Sequence, residues 1–314
     1  MLNRRELFKL SGAASLAALV PVSFTRATAP VPAKGPFRFC LNTSTIMGQQ
    51  PGLIKSIEIA AKAGYDGLEL WVNDIKDYLA KGHTLQSLAD FIKSKGLVVE
   101  DAISFTTWLV DDDAKRQAGL AELEEEMKMM AALGCRRIAA PPMGLEEGAV
   151  IDYKKAGARY KEILALGRKY KVMPLLEFWG ASGTVYNFGQ ALAIAAAADD
   201  PDVKILPDVY HLFRGGSGFN CLKMVSGKMI DIIHMNDYPA NKSVDQQTDG
   251  DRVYPGDGSA PLKQILADLA AMGGTKVLSL ELFNETYWKE DAQLVASTGL
   301  QKMKQLVNEV LAGK

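Results

Sequence analysis

From residue 36 onward, short continuous apolar runs alternate with longer segments in which apolar residues recur at helical spacing. Continuous apolar runs, unlike strictly alternating ones, are typical of strands buried on both faces of a parallel sheet. Two of the helical segments are followed directly by glycines, Gly96 and Gly134, as is typical of helix C-caps. The pattern predicts strands over residues 37–45, 67–71, 98–105, 137–141, 173–179, 203–208, 230–236 and 276–283.

The segments between these runs predict helices that connect each strand to the next. Successive strands begin roughly 25–45 residues apart, as βα repeats require. Eight such units predict an α/β fold, a closed (β/α)8 TIM barrel formed by one domain over residues 37–314. The glycine-rich dinucleotide pattern is absent after the first predicted strand, which disfavours an open nucleotide-binding sheet. The predicted helices cover residues 53–63, 83–95, 112–133, 152–170, 187–198, 261–272 and 291–311, with a short helical stretch at 221–226 and a long polar loop at 237–260.

The overall charge of the chain is nearly balanced, with 36 basic and 37 acidic residues among 314. This balance provides neither a basic footprint for nucleic acid nor an acidic tail. The three cysteines, Cys40, Cys135 and Cys221, are odd in number and widely spaced, which argues against a disulfide framework. Composition therefore predicts a globular protein without a nucleic-acid partner.

The N-terminus has the layout of an export signal. Its first residues are charged and include Arg4-Arg5, residues 10–22 are mostly apolar, and a run of small residues ends at Ala29. The paired arginines predict a twin-arginine signal peptide over residues 1–29, followed by a linker over residues 30–36. The apolar stretch is short for a transmembrane helix, although an uncleaved membrane tether stays an alternative. The sequence thus predicts a periplasmic protein without stable membrane insertion after signal cleavage.

Four residues able to bind metal lie at the carboxyl ends of the last four predicted strands: Glu177, Asp208, His234 and Glu281. Consecutive strands are neighbours in a barrel, so these side chains form an arc at the mouth, where barrel enzymes have their active sites. Any one of them alone is equally well explained by a local salt bridge or a capping carboxylate. Four equivalent positions favour a shared site, and this mixture of oxygen and nitrogen donors suits one divalent ion such as Mn²⁺, Mg²⁺, Co²⁺ or Zn²⁺.

Several short segments carry a resemblance to a known family. They are Ala63-Gly64-Tyr65-Asp66-Gly67-Leu68-Glu69-Leu70, Asp208-Val209-Tyr210-His211, His234-Met235-Asn236-Asp237, Arg252 ahead of Pro255-Gly256-Asp257-Gly258, and Leu280-Glu281. With them, residues 37–311 resemble the xylose isomerase-like barrel superfamily, in particular its sugar phosphate isomerase/epimerase branch. The resemblance implies that the four residues of the arc bind one metal ion. It also implies that His211 and Arg252 contact the substrate.

The resemblance implies a metal-dependent isomerase or epimerase that acts on a ketose or keto-sugar. In the implied reaction the metal chelates two neighbouring substrate oxygens and acidifies the C–H bond beside the carbonyl. A carboxylate removes the proton to leave a metal-bound enediolate, and Glu177 and Glu281 are the candidate base and acid on its two faces. His211 and Arg252 are candidates for holding hydroxyls or stabilising the oxyanion.

Five further residues are candidates for substrate binding, each with an ordinary structural explanation beside it. Glu69 is equally explained as a support for the site or as part of a buried salt bridge. Asp237 lies close to His234 in the sequence and is a candidate for orienting it or binding substrate. The remaining three are aromatic residues near strand ends, which either line a sugar pocket or pack in the core: Trp71, Trp108 and Trp179.

The same residues bear on three alternatives to the isomerase. A lyase or dehydratase acting on a keto-sugar, keto-inositol or keto-glycoside uses the same proton abstraction but expels a leaving group. A non-catalytic sugar-binding barrel is disfavoured, since binding alone needs no paired carboxylates. Endonucleases of this superfamily are excluded, because their zinc sites need more histidines than the three in this chain, His83, His211 and His234. The oligomeric state stays open, a homo-oligomer included.

Overall fold

The computed structural model describes residues 35–146 and 148–313. The predicted signal peptide (1–29) lies outside these residues, as does most of the predicted linker, so export stays a prediction. Within the described residues, no helix combines the length and the apolar character needed to cross a membrane.

Eight strands form the centre of the fold, and every hydrogen-bonded pair of strands runs parallel. Each strand begins within two residues of the start predicted from the apolar pattern. Most end earlier than predicted, because the chain turns there into the loops and short helices of the barrel mouth. The strands are β1 Phe37–Asn42, β2 Gly67–Trp71, β3 Val98–Ile103, β4 Arg137–Ala140, β5 Met173–Glu177, β6 Ile205–Leu206, β7 Ile232–Met235 and β8 Lys276–Leu280.

The strands follow one another around the barrel in sequence order. Ladder hydrogen bonds give two sheets, β3-β2-β1-β8-β7 and β4-β5-β6. Just beyond β6, a parallel bridge between Asp208 and His234 joins the two sheets, and the His234 N–H donates to Pro207 O at 3.0 Å. Between β3 and β4, the Arg137 guanidinium donates to the Glu100 carbonyl at 2.7 Å. The predicted (β/α)8 barrel is confirmed.

Nine helices lie outside the strands in the described residues. The sequence pattern missed two of them. The helix after Trp71 follows its strand without a turn residue, and the helix after Asp208 is only 6 residues long. The helices are α1 Gly52–Ala63, α2 Val72–Ala80, α3 Leu85–Ser94, α4 Asp113–Ala132, α5 Tyr153–Tyr170, α6 Phe188–Ala198, α7 Val209–Arg214, α8 Leu262–Ala271 and α9 Ala292–Ala312. Short 3₁₀ helices occur at Thr43–Gln49, Asn220–Met224, Gly227–Met229, Val244–Gln246, Asp249–Asp251 and Tyr287–Lys289.

An apolar layer fills the inside of the barrel and determines where the polar residues lie. It is made of Cys40, Ile103, Ala139, Leu175, Leu206, Ile232 and Val277. Side chains two residues apart on a strand point to the same face. Two residues after members of this layer come Asn42, Glu177, Asp208 and His234. The next inward-facing layer is therefore polar, and it lies at the carboxyl ends of the strands.

Candidate active site

Three carboxylates converge on one nitrogen of His234. The Nδ1 atom lies 3.1 Å from Glu281 Oε2 and 3.5 Å from Asp208 Oδ2. Glu177 Oε1 lies 3.7 Å from the same nitrogen. Among the described residues this buried Nδ1 has no hydrogen-bond partner. The structure therefore brings together all four residues that the sequence predicted at successive strand ends.

The other ring nitrogen of His234 contacts Glu69, which lies behind the site. Nε2 is 3.0 Å from Glu69 Oε1. A carboxylate only accepts hydrogen bonds, so in the neutral ring, the form that binds a metal, this contact places the proton on Nε2 and leaves the Nδ1 lone pair directed at the three acids. Glu69 also accepts from Ser279 Oγ at 2.6 Å and Asn42 Nδ2 at 2.9 Å. Glu69 is fully buried and supports His234 instead of lining the cavity.

Asp208 serves the site and helix α7 at once. Its Oδ1 accepts from the His211 N–H at 2.8 Å and so caps the helix. Its Oδ2 accepts from Asn236 Nδ2 at 3.0 Å and from Arg252 Nη1 at 3.1 Å. Because the helix begins at the residue after Asp208, His211 lies one turn away, at the edge of the site.

Arg252 is a buried cation held among acids and aromatic rings. Its Nη1 donates to Glu281 Oε2 at 2.7 Å, and its Nη2 donates to Asp249 Oδ1 at 2.6 Å. The guanidinium carbon lies 4.9 Å from the Tyr210 ring centre and 5.0 Å from that of Phe283, within the range of cation–π attraction. These contacts fix the planar group in one orientation.

Two hydrogen-bond donors face the ring of His211. The Gly180 N–H lies 3.1 Å from its Nδ1, and Arg252 Nη2 lies 3.1 Å from its Nε2. A neutral imidazole accepts at one nitrogen only, so Nε2 can donate to a substrate oxygen when that oxygen takes the Arg252 N–H and Nδ1 accepts from Gly180. His211 and Arg252 both line the cavity, at one edge of it.

The electrostatics of the site are dominated by excess negative charge. Burial and the neighbouring Glu281 and Asp208 carboxylates raise the pKa of Glu177 to about 8. Burial acts in the same direction on Asp208, but the Arg252 and His211 side chains hold the pKa of Asp208 well below its ordinary value. The Arg252 guanidinium therefore stabilises the ionised form of Asp208, whereas burial and repulsion from the other acids dominate at Glu177.

The donor atoms fit a divalent metal ion. Asp208, His234 and Glu281 each offer one ligand atom, and these atoms lie within 4.8 Å of one another. Carboxylate oxygens with one imidazole nitrogen are a common donor set for divalent ions. Among the described residues, the Nδ1 of His234 has no hydrogen-bond partner and faces the carboxylates, as expected of a metal ligand. Glu177 lies close enough to be a fourth ligand.

A cavity of about 400 Å³ opens above these residues. Its walls are mainly aromatic: the rings of Trp71 and Phe105 lie 5.4 Å apart, and those of Phe105 and Trp179 lie 6.2 Å apart. The residues lining it are Trp71, Ile103, Phe105, Glu177, Trp179, Ala181, Ser182, His211, Asp249, Arg252, Glu281 and Phe283. Of the candidate substrate contacts, Trp71, Trp179, His211 and Arg252 line this cavity.

Besides Glu69, two of the predicted substrate contacts lie outside the cavity lining. Trp108 is completely buried, and its indole N–H donates to Pro141 O at 2.7 Å, so packing under the loops explains it. Asp237 is also buried, and its carboxylate accepts backbone N–H groups of its own loop, including those of Gly256 and Ala260. Both placements correct the sequence-based expectation, because adjacency to a strand end does not determine the direction of a side chain.

Sequence reasoning missed several residues that contact the site, among them Asn42, Phe105, Asp249 and Phe283. Asn42 ends β1, and Phe105 and Phe283 follow β3 and β8 closely, so the strand-end rule that found the metal candidates also applies to them. Asp249 lies in the loop after β7, where the sequence gives no sign that its carboxylate meets Arg252.

The sequence pattern of the family described as xylose isomerase-like TIM barrel matches residues 57–306. The chain belongs to this family. An inosose isomerase of Halalkalibacterium halodurans is 30% identical over 282 residues, which cover 88% of this chain and 96% of the relative. A 3-dehydroshikimate dehydratase of Pseudomonas putida is 24% identical over 269 residues, 83% of this chain but 40% of the dehydratase.

Solved structures agree with this assignment. A crystal structure described as IOLI protein with a binding zinc atom superposes with a TM-score of 0.80 at 26% identity, over 87% of this chain and 99% of that protein. An L-ribulose 3-epimerase superposes with a TM-score of 0.69 at 15% identity, over 88% of this chain and 96% of the epimerase, and shares the fold.

Proposed function

We propose that the protein is a divalent-metal-dependent isomerase or epimerase that acts on a keto-sugar or a related keto-polyol. The observation that carries the proposal is the convergence of three carboxylates on the unpartnered Nδ1 of His234, at the floor of an aromatic-walled cavity. The inosose isomerases among the relatives support the same class of reaction.

Glu177, Asp208, His234 and Glu281 are the proposed holders of the metal. When bound, a divalent ion at this position supplies Lewis acidity toward a substrate carbonyl oxygen. Glu69 holds His234 through Nε2, so that Nδ1 has the lone pair that a ligand needs. The protein thus supplies both the donor atoms and the contacts that orient them.

Proton transfer is assigned to the two glutamates that line the cavity. Glu177 ends β5 and Glu281 follows β8 directly, and these strands are not neighbours, so the two residues approach a substrate from different sides. One, as the carboxylate, takes the proton from the carbon beside the carbonyl, and the other, as the carboxylic acid, donates its own proton to the opposite face or to the next carbon. The first outcome is epimerisation, and the second is aldose–ketose isomerisation.

His211 and Arg252 are assigned to the substrate oxygens. The N–H of His211 Nε2 and the guanidinium of Arg252 meet at one edge of the cavity, where both can donate to a hydroxyl or to an oxygen that gains negative charge. When a substrate oxygen accepts from Arg252, the Gly180 N–H at Nδ1 favours the tautomer in which His211 Nε2 donates.

The charges of the cavity favour an uncharged substrate. Its lining includes three acids, whereas the only arginine, Arg252, already donates to Asp208, Glu281 and Asp249. No lysine lines the cavity among the described residues. A phosphate or carboxylate on the substrate therefore lacks a free cation to meet it, while aromatic rings suit the C–H faces of a sugar or cyclitol ring.

A lyase or dehydratase is the second candidate. It is favoured by the 3-dehydroshikimate dehydratases among the relatives and by the shared first step, removal of a proton beside a carbonyl. A leaving group on the next carbon turns the same intermediate toward elimination instead of reprotonation. Elimination needs no residue beyond those already assigned.

Solvent-deuterium exchange followed by NMR tests the proposal. Mn²⁺-loaded protein is incubated in D₂O with a panel of free ketoses, keto-inositols and 3-keto-glycosides, together with one phosphorylated ketose. Deuterium at the carbon beside the carbonyl, with a new epimer or aldose, supports the isomerase. Loss of water or aglycone supports the lyase. Absence of exchange on every member by the metal-loaded protein contradicts both and favours a binding function.

A further inference from the structure

Asn42, the last residue of β1, touches more of the site than its position suggests. Its Nδ2 donates to Glu69 Oε2 at 2.9 Å and to Glu281 Oε1 at 3.1 Å. Its Oδ1 accepts from the Trp71 indole N–H and from the Ser44 N–H, both at 3.0 Å. The side chain is fully buried, so all of its hydrogen-bonding capacity is used within the protein.

These four partners leave only one orientation for the amide group. Both glutamates accept hydrogen bonds and do not donate them when ionised, so the NH₂ group must face them. The indole and the backbone amide are donors, so the carbonyl oxygen must face those. An aspartate at position 42 has the same shape but no donor for either glutamate.

The two glutamates held by Asn42 reach the metal site by different routes. Glu69 bonds to Nε2 of His234, and Glu281 Oε2 lies 3.1 Å from Nδ1 of the same ring. Arg252 holds Oε2 of Glu281, so Asn42 supplies the second contact, on Oε1, that fixes the plane of this carboxylate. One amide group on β1 thereby sets the positions of groups on β7 and β8.

We propose that Asn42 is a positioning residue for the metal centre. It holds Glu281 directly and His234 through Glu69, so that these two ligands have the separation that metal binding needs. The inference rests on the proposed metal site but not on the identity of the substrate. Through the Trp71 indole it also joins the metal centre to the wall of the cavity.

The test compares Asn42→Asp with Glu69→Gln and with the double variant Asn42→Asp/Glu69→Gln. Asn42→Asp brings a third carboxylate against two others. Glu69→Gln turns its NH₂ group either toward that of Asn42 or toward His234 Nε2, so one of these two contacts is lost. The double variant exchanges amide and carboxylate across the 2.9 Å contact and restores a donor opposite an acceptor there, while the carboxylate at position 42 still faces Glu281. Asn308→Asp, on the exposed surface of α9, is the matched control for the chemical change.

Mn²⁺ affinity is measured by electron paramagnetic resonance, and Tm and the separate kcat and KM values are measured on the same samples. We expect each single variant to weaken Mn²⁺ binding about 10–100-fold, the usual effect of losing a residue that orients ligands. The double variant should bind Mn²⁺ at least about tenfold more tightly than either single variant. The kcat of each variant should fall together with its Mn²⁺ affinity, and the Asn308→Asp protein should behave like wild type.

Each remaining outcome counts against the inference. If Asn42→Asp lowers Tm but binds Mn²⁺ with wild-type affinity, Asn42 has only a structural role. If the double variant loses as much affinity as the two single variants together, the contact between Asn42 and Glu69 does not position the ligands. Failure of the wild-type protein itself to bind Mn²⁺ refutes the proposed metal site instead.

Discussion

At the scale of single residues, His234 shows how one side chain organises several others. Its two ring nitrogens face different groups, Glu69 behind the site and three carboxylates inside it. A contact on one nitrogen determines the tautomer and thus the chemistry of the other. Two of these carboxylates, Glu177 and Glu281, line the cavity and are the residues proposed for proton transfer.

Glu177→Gln and Glu281→Gln are each expected to lower the rate of solvent-deuterium exchange by about 10²–10⁴-fold, because an amide cannot accept the substrate proton. Both residues are also proposed metal ligands, so bound Mn²⁺ is determined in each variant and exchange is measured at metal saturation. Glu125→Gln on the exposed face of α4 is the control. Exchange near the wild-type rate with metal bound contradicts the paired-carboxylate mechanism.

The buried carboxyl group of Asp101, in β3, makes the free energy of unfolding depend on pH. Both of its carboxylate oxygens are buried without partners, and burial together with the Glu69 carboxylate raises its pKa well above the ordinary value. The folded state then keeps a proton that the unfolded chain has lost, so the free energy of unfolding falls as pH rises above the ordinary carboxyl range. Asp101→Asn removes this proton uptake.

For Asp101→Asn we expect a smaller loss of stability between about pH 5 and about pH 8 than for wild type, by about 1 kcal/mol or more. Urea unfolding of chelator-treated samples measures the difference. Asp90→Asn, exposed on α3, is the control and should follow wild type. An equal pH dependence for Asp101→Asn and wild type contradicts the buried, protonated carboxyl.

At the scale of elements, the loop after β7 is held by one buried carboxylate. Asp237 accepts from the N–H groups of Tyr238 and Ala260 at 2.8 Å, Gly256 at 3.0 Å and Gly258 at 3.1 Å. Such a carboxylate closes the loop as a cap closes a helix end. The same loop carries Arg252 into the site, so its closure has functional consequences.

Asp237→Ala is expected to destabilise the protein by about 1–3 kcal/mol, because buried N–H groups lose their acceptor. It should also raise KM, since Arg252 is positioned by the loop. Chemical denaturation measures the first effect, and faster trypsin cleavage at Lys242 reports local opening of the loop. Asp245→Ala, exposed in the same loop, should change neither. Wild-type stability in Asp237→Ala contradicts the anchoring role.

The apolar pattern predicted the strands well because burial on both faces leaves a continuous signal. It missed α2, because this helix follows its strand without a turn residue, and α7, because this helix is only 6 residues long. It also misjudged Trp108, because the sequence does not say which way a side chain near a strand end points. Arg252 was predicted only from the family resemblance. It lies in a loop, where no strand or helix periodicity indicates which way a side chain points.

The metal candidates were predictable because their signal is chemical: acids at the ends of buried strands have no role in packing. Asn42 follows the same rule but is uncharged, and polar residues are common where a strand ends. Its importance depends on contacts with Glu69 and Trp71 in β2 and with Glu281 after β8, which lie in two other parts of the sequence. Such contacts become visible only when the barrel is closed.

At the scale of the whole molecule, the barrel concentrates negative charge at one end of a nearly neutral chain. The formal net charge is −1, whereas the candidate site gathers Glu69, Glu177, Asp208 and Glu281 around His234, with Arg252 beside two of them. Burying carboxylates without compensating cations is costly. A bound divalent ion offsets this cost in the folded state only, so metal binding and stability should be linked.

Titration of chelator-stripped protein with Mn²⁺, monitored by bound metal and by Tm, tests the proposed metal centre most directly. We predict one Mn²⁺ ion per chain and a rising Tm, with a stabilisation of about 2.7 kcal/mol when free metal reaches about 100 times its Kd. His234→Gln should lose both effects. Absence of binding by Mn²⁺, Zn²⁺, Co²⁺ and Mg²⁺, or unchanged binding by His234→Gln, would contradict a metal centre at the carboxyl ends of these strands.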